Sequence, residues 1–409
     1  MNPLAASPIL VIVIAQLFGT SLWFSPNSAA SSLMAQWALN TAELGQLTSA
    51  TQIGFIVGTL MLATTGLADR YAASRICVLS CLAGAVFNAL FAVAATGLEQ
   101  GLVLRFLVGV TLAGIYPLGM KLVISWSPQN TGATLGLLVA MLTLGSALPH
   151  GVRAAGIGWA WEHVVLTSSV LAVLAALMIF TLGDGPHLPK TQVGKLRWGA
   201  VLKVFMNPQF RASASGYFGH MWELYAFWTL LPLLAADLVV SAAGNSTNQH
   251  TMTISSALTF VLMGVMGAIG AMVAGRLSQR FGSPRVAAAA LLSSGLMCLA
   301  YPFIPAGLWP LQLLILVVWG LTVVSDSAQF SATSAKVCPP HLVGGALAIQ
   351  NSVGFLISTV SIMLVMALYE SLGSAVVWYL LPGPVLGLVL FRRLLQASEL
   401  SPSCTSGRN

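Results

Sequence analysis

The 409-residue sequence predicts an all-α membrane protein of twelve transmembrane helices arranged as two pseudo-symmetric six-helix bundles. An apolar composition, apolar runs of spanning length and a pattern that recurs after about 210 residues carry that prediction. The chain is 57% hydrophobic and only 7% charged, with a mean hydropathy of +0.88, against the roughly 25% charge of a soluble protein. A water-soluble globule of this size would lack the charge to cover its surface, so lipid is the solvent for most of the chain. Several runs exceed the ~18 apolar residues that mark a span.

Apolar runs separated by Gly, Pro, Asn or charged clusters place α1 near 8–31, α2 at 45–67, α3 at 76–96, α4 at 102–125, α5 at 132–153 and α6 at 163–183. After a polar stretch they resume, with α7 near 212–236, α8 at 252–277, α9 at 285–304, α10 at 310–335, α11 at 343–368 and α12 at 374–391. These lengths suit helices and not the ~10-residue alternation of barrel strands. The first run lacks the basic leader of a signal peptide and is expected to be a permanent span. The stretch from Asp184 to Phe210, with Gly185, Pro186, Pro189 and spaced basic residues, reads as a cytoplasmic strap. The expected division is therefore 1–184, an N-terminal bundle; 185–210, the linker; 211–393, a C-terminal bundle; and 394–409, a cytoplasmic tail, expected to be disordered from Leu400.

Lys and Arg set the orientation. With both termini cytoplasmic, fourteen of the seventeen basic residues fall inside, and the outer loops instead collect Glu43, Glu99, Glu162, Asp237 and Glu370. Topology thus accounts for the net charge of +7, and no interleaved basic and aromatic patch points to nucleic acid. Cys77, Cys81, Cys298, Cys338 and Cys404 have neither disulfide nor zinc spacing, so no metal or cofactor is expected.

The internal repeat is clearest in the loops. After α2 the chain reads Thr65-Gly66-Leu67-Ala68-Asp69-Arg70-Tyr71 and then Arg75; after α8 it reads Gly275-Arg276-Leu277-Ser278-Gln279-Arg280-Phe281-Gly282 and then Arg285. Gly109 and Gly320 are 211 apart, as are Pro128 and Pro339. These loops resemble the signature of the major facilitator superfamily, and Arg105-Phe106-Leu107-Val108-Gly109 resembles its helix 4 motif. The resemblance covers the whole chain. It implies a secondary transporter whose first, fourth, seventh and tenth helices line a central cavity, and a gating role for Asp69, Arg70, Arg75, Arg280 and Arg285. Thr65 and Ala72 replace two expected glycines and Gln279 the second Asp, so the two loops are not expected to latch equally. Anchoring in lipid headgroups is the alternative reading of their basic residues.

Ionisable groups at membrane depth cost about 2.5–3.5 kcal/mol each on insertion scales, so the few present are candidates for function. Glu223 lies mid-way along α7 and shares a helix face with His220 and Phe227. Asp326 lies on α10 in a stripe with Thr322, Gln329 and Thr333, and α1 carries the stripe Gln16, Thr20, Trp23, Asn27. On α4, Arg105 and Lys121 point about 160° apart on an ideal helix, unless Pro117 redirects the lower half; both could instead snorkel. Glu223, Asp326 and His220 are the expected proton-coupling groups, because burial favours the neutral carboxyl and lets it exchange a proton as access alternates. Gln16, Thr20, Trp23, Asn27, Arg105, Lys121, Phe227 and Gln329 are the expected substrate contacts. His150 reads as a rim residue beside Arg153, and the aromatics Trp23, Phe24, Trp222, Tyr225 and Trp228 as either a clamp or ordinary packing.

Phosphate loops, zinc-ligand sets and Ser-His-Asp arrangements are absent from the aqueous segments, which argues against an enzyme and against ATP drive. The expected function is movement of a small polar organic solute by rocking of the halves, as proton symport, by a monomer in a bacterial inner membrane. Proton-coupled efflux is the first alternative, although Gly145-Ser146-Ala147-Leu148-Pro149 departs from the Gly-Pro motif of the superfamily's drug antiporters. A non-transporting sensor on the same fold is the second.

Overall fold

The computed structural model describes residues 7–127, 131–187, 202–244, 246–339 and 342–399. Pro128, most of the expected linker, and the tail from Leu400 lie outside the described residues. Ten apolar segments are long enough to cross a membrane; one, Val343–Leu395, holds two helices, and the shorter Pro8–Thr20 opens α1. The described residues thus form the twelve spans expected.

Most spans match the apolar runs to within a few residues: α2 is Thr41–Thr65, α3 Ala73–Val93, α5 Thr131–Ala155, α6 Trp161–Leu182, α7 Pro208–Ala242, α9 Ser283–Ala300 and α11 Val343–Leu372. Capping explains the early start of α2, where the Asn40 side chain accepts from the Glu43 N–H and the Glu43 carboxylate accepts from the Asn40 N–H, both at 2.9 Å. The expected start of α12 needs correction. Residues Gly373–Leu380 form a 3-10 helix and the α-helix runs Pro382–Glu399, because a proline fits the first turn of a helix but cannot donate inside one.

Three spans are broken. α1 consists of Pro8–Thr20 and Ala30–Trp37; α4 of Leu98–Leu112 and Tyr116–Trp126; α10 of Trp309–Thr322 and Ser327–Lys336. The breaks in α4 and α10 occupy the same position of the repeat. α8 stays continuous but passes through a π-helical stretch, Phe260–Met266, between Gln249–Thr259 and Gly267–Phe281.

Small residues let the spans of each half meet backbone to backbone. A Cβ on Gly109 of α4 would lie 2.0 Å from the Thr51 carbonyl of α2, and one on Gly320 of α10 would lie 2.4 Å from the Leu262 carbonyl of α8. Gly109 and Gly320 are 211 residues apart, and so are Thr51 and Leu262, so the two halves repeat the same contact. α3 turns Leu79, Leu82, Val86, Leu90 and Val93 outward, a lipid-facing stripe, and buries Cys77, Cys81, Gly84, Ala85 and Asn88.

Between the halves α2 packs on α11 and α5 on α8. Near the end opposite the basic loops, a Cβ on Gly45 would lie 2.7 Å from the Met366 side chain. There the Thr41 N–H donates to Glu370 Oε1 at 3.1 Å, and its hydroxyl reaches the Met366 carbonyl at 3.0 Å and the same Glu370 oxygen at 3.2 Å. Glu370 thus closes the first turn of α2, where the helix dipole favours a negative charge.

Gly109→Ala is expected to destabilise the protein by about 1–3 kcal/mol through overpacking, read as a lower Tm of the detergent-purified chain. Gly136→Ala, whose added methyl meets nothing within 4 Å, should leave Tm unchanged or raise it. Equal melting of the two variants would refute the tight α2–α4 contact.

Candidate functional site

In the N-terminal half the site is organised by the break in α1. The chain leaves the helix after Thr20 and turns through Pro26, and the buried Leu22 and Trp23 there leave carbonyls that need partners from within the protein. Arg105 fills that role from α4: its Nη2 donates to the Leu22 carbonyl at 2.9 Å and the Trp23 carbonyl at 2.7 Å, Nη1 to Asn88 Oδ1 at 3.0 Å and Nε to Thr51 Oγ1 at 3.1 Å. Asn88 in turn accepts from Ser25 Oγ at 2.8 Å and donates to the Val165 carbonyl at 2.9 Å and Ser169 Oγ at 3.0 Å. The Phe91 ring lies 5.9 Å from the guanidinium carbon. The network joins α1, α2, α3, α4 and α6.

In the C-terminal half the face of α7 that carries His220, Glu223 and Phe227 packs against α10. Glu223 Oε1 accepts from Trp319 Nε1 at 2.7 Å and Oε2 from Ser294 Oγ at 2.9 Å. Phe227 stacks on the Trp319 indole with ring centroids 4.2 Å apart. One turn away, His220 Nδ1 lies 2.7 Å from Asp326 Oδ1. Asp326 sits at the break of α10, as the residue preceding Ser327–Lys336. Among the described residues Asp326 Oδ2 and His220 Nε2 have no hydrogen-bond partner, although both residues are buried.

Aromatic rings meet where the halves face one another. Trp23 lies 5.0 Å from Phe55, 5.9 Å from Tyr225 and 5.8 Å from Phe355, and Phe24 lies 5.7 Å from Trp228 and 6.3 Å from Tyr225. Phe55 and Phe355 approach to 4.5 Å across the interface. Three rings thus come from the N-terminal half and three from the C-terminal half. The Trp23 indole N–H donates to Gln52 Oε1 at 3.3 Å. Trp222 is not in the cluster; its indole N–H donates to the Tyr379 carbonyl at 2.9 Å, beside α12.

The helix breaks divide the two stripes read from sequence. On α1, Trp23 joins the aromatic cluster and Asn27 donates to Thr48 Oγ1 at 3.0 Å, whereas Gln16 packs at Gly119 of α4 and Thr20 at Gly145 of α5. On α10, Thr322 ends the first segment with its hydroxyl on the Val318 carbonyl at 2.9 Å, and Gln329 and Thr333 are buried in the second. Glu223 and Asp326 are 1% and 0% exposed and face α9, α10 and α7 rather than an opening between the halves. Arg105 likewise points into its own half. On α11, Gly354 permits close packing on α7, where a Cβ would lie 2.6 Å from the Tyr217 ring.

At the end that carries the basic loops the Lys121 ammonium donates to the Ala68 carbonyl, just before the Asp-Arg of the loop signature. The Asp69 side chain lies outside the described residues, and Asp69 itself falls in the short helix Leu67–Arg70. Arg70, Arg75, Arg280 and Arg285 are exposed, with the Arg280 guanidinium carbon 5.3 Å from the Phe281 ring centroid. Asp184 Oδ1 accepts from the Ser74 N–H at 2.7 Å, pairing the start of α3 with the end of α6.

Sequence reasoning missed Asn88, Thr51, Trp319, Ser294, Phe55 and Phe355. Asn88 carried a signal, as a lone amide at the centre of an apolar span. The others are common residues whose role depends on which helix faces them.

Arg105→Ala strands two backbone carbonyls, Asn88 and Thr51. With bonds to a charged group worth about 1.5–3 kcal/mol each, it should cost at least one such bond and lower Tm sharply. Arg105→Lys keeps the charge without the planar fork and should fall between. Unchanged thermal unfolding of Arg105→Ala would refute the bracing role.

Comparison with known proteins agrees with this architecture. The family model described as Major Facilitator Superfamily matches residues 10–236 and again 213–407. The 4-hydroxybenzoate transporter PcaK of Pseudomonas aeruginosa is 31% identical over 158 residues, which are 38% of this chain and 35% of that protein. PcaK of Pseudomonas putida is 30% identical over 157 residues, 37% of this chain and 33% of the relative. The matched stretch therefore spans about a third of each relative. Among solved structures, a mutant of the nucleoside transporter NupG superposes with TM-score 0.69 at 16% identity, covering 95% of this chain and 99% of that one. A bacterial homologue of the human lysosomal transporter Spinster, inward-facing and unoccupied, superposes with TM-score 0.67 at 14% identity, covering 98% and 96%. At these identities the two structures establish the fold alone. This chain is an integral multi-pass membrane protein and belongs to the Major Facilitator Superfamily.

Proposed function

We propose that the protein is a secondary active transporter that imports a small organic solute together with protons. The observation that carries the solute reading is the six-ring cluster divided between the halves, with Trp23, Phe24 and Phe55 facing Tyr225, Trp228 and Phe355. Rocking of the halves would part these rings and admit a planar solute between them. The curated relatives, named as transporters of 4-hydroxybenzoate, favour an aromatic carboxylate as the first solute to test. Asn27 and Gln52 would add hydrogen bonds beside Trp23. Gln16, Thr20, Lys121, Phe227 and Gln329 would shape the helices that frame the cluster, and Arg105 would act by holding the Trp23 carbonyl and thus the ring.

Proton coupling rests on the two buried acids of the C-terminal half. Two donors around Glu223 suit an ionised carboxylate, and the apolar surroundings suit the neutral acid, so a small change in hydration on rocking would decide which form is held. His220 and Asp326, a helical turn away, form the second station of a proton path, with Asp326 Oδ2 and His220 Nε2 positioned to take further partners. The working topology has bundles at 1–184 and 211–393 joined by 185–210, a tail at 394–409, and both termini cytoplasmic in a bacterial inner membrane, the protein acting as a monomer. Asp69, Arg70, Arg75, Arg280 and Arg285 belong to the cytoplasmic gate of this scheme.

Reconstituted protein under an inside-alkaline pH gradient should accumulate radiolabelled 4-hydroxybenzoate or benzoate above protein-free vesicles. Glu223→Gln should abolish gradient-driven accumulation while retaining exchange of solute between the two sides, and Asp326→Asn should reduce it. Accumulation by Glu223→Gln equal to the parent would remove Glu223 from the coupling. Solute movement only under the reversed gradient would assign efflux instead.

A further inference from the structure

A second feature lies between the halves at the end opposite the basic loops. It is a crevice of about 280 Å³, near the lower size of ligand pockets. The N-terminal half contributes Asn27 to Ser32 and, from α5, His150 and Arg153; the C-terminal half contributes Pro232, Leu233, Ala236 and Val240 of α7, with Thr251, Ser255 and Thr259 of α8. Neither Glu223, Asp326 nor any ring of the aromatic cluster lines it.

Its chemistry is one-sided. Arg153 and His150 are the basic side chains in the lining, which among the described residues holds no carboxylate and many hydroxyls. Arg153 is fixed in place, with Nη1 donating to the Trp159 carbonyl at 2.7 Å and Nη2 to Ser32 Oγ at 3.1 Å. Each of these nitrogens carries a second hydrogen, so the guanidinium can still offer a fork. His150 is 1% exposed, and its Nε2 has no hydrogen-bond partner among the described residues. A buried ring nitrogen left unpaired costs free energy that a ligand oxygen would recover.

We infer that this crevice is a binding site for a small organic carboxylate on the outer face, separate from the aromatic cluster. The carboxylate meets Arg153, a ligand oxygen pairs with His150 Nε2, and hydroxyls of Ser31, Thr251 and Ser255 surround the remainder. Because both halves line it, an occupant bridges them. Its floor, Asn27 and Ser28, follows Phe24 by three and four residues, so the site stands directly outside the ring cluster. The assignment as the first station of uptake rests on the transporter reading; the site itself does not.

The test uses the full chain in intact cells. Met252, a half-exposed lining residue, is replaced in Met252→Cys and labelled with a membrane-impermeant thiol reagent, the parent protein giving the background of its own cysteines. Labelling should occur from outside and should be slowed by benzoate or 4-hydroxybenzoate but not by benzamide. Arg153→Gln and His150→Gln, each added to Met252→Cys, should raise the half-protecting concentration about tenfold or more, the loss of one charge-assisted bond. Absence of labelling, absence of protection by either carboxylate, equal protection by benzamide, or protection unaltered in both double variants each overturns the proposal. The protection measurement itself uses an otherwise native chain, so misfolding of a double variant leaves it decisive. Protection without gradient-driven uptake in vesicles would sustain the site and refute the transporter reading; uptake without protection would do the reverse.

Discussion

Backbone that leaves the helix at membrane depth must find its partners inside the protein, and the N-terminal half depends on how that demand is met. The broken α1 turns the Leu22 and Trp23 carbonyls inward, and the Arg105 guanidinium takes both while holding Thr51 and Asn88. A single cation is therefore the brace of five helices. Its fork is suited to the task because it presents several donors in a fixed plane and stays charged without an acid beside it. The same bonds orient Trp23, which stands in the ring cluster facing the other half.

The C-terminal half meets its own polar burden differently. Glu223 is held by an indole N–H and a hydroxyl, and Asp326 by an imidazole at the break of α10. The arginine is bonded to neutral acceptors on every side, whereas the Asp326 carboxyl and the His220 ring each keep an atom without a partner among the described residues. The halves thus share a fold and a glycine-to-carbonyl contact at Gly109 and Gly320 but differ in what they bury, a guanidinium in one and two carboxyls in the other. Between them, Thr41 and Glu370 tie the ends of α2 and α11 that lie opposite the basic loops, while a crevice remains beside His150.

Much of this was legible before any coordinates. The spans, the repeat and the short list of ionisable residues within the spans follow from the cost of polar groups in hydrocarbon, which leaves Arg105, Lys121, Glu223 and Asp326 conspicuous against an apolar chain, Lys121 alone among them being only half-buried. Their partners were not legible. Trp319 and Ser294 are ordinary residues of apolar spans until α9 and α10 bring them against Glu223, and Glu370 looks like any outer-loop acid until α11 reaches the first turn of α2. The stripes on α1 and α10 failed for one reason: a helical period cannot be continued through a break, and the turns at Ser21–Pro26 and Val323–Asp326 leave no marker as plain as a glycine pair.

By itself, then, the sequence determined the solvent, the number of spans, the twofold repeat and which charged side chains lie along the spans, because each is a property of local hydropathy or of one residue type. Tertiary structure alone decided where those side chains point. Arg105 turned toward a gap in its own bundle, Glu223 toward the neighbouring helices, and the aromatic rings toward the opposite half. Direction depends on the rotation and close approach of helices distant in sequence, set at places such as Gly109 against Thr51, and no single span encodes it.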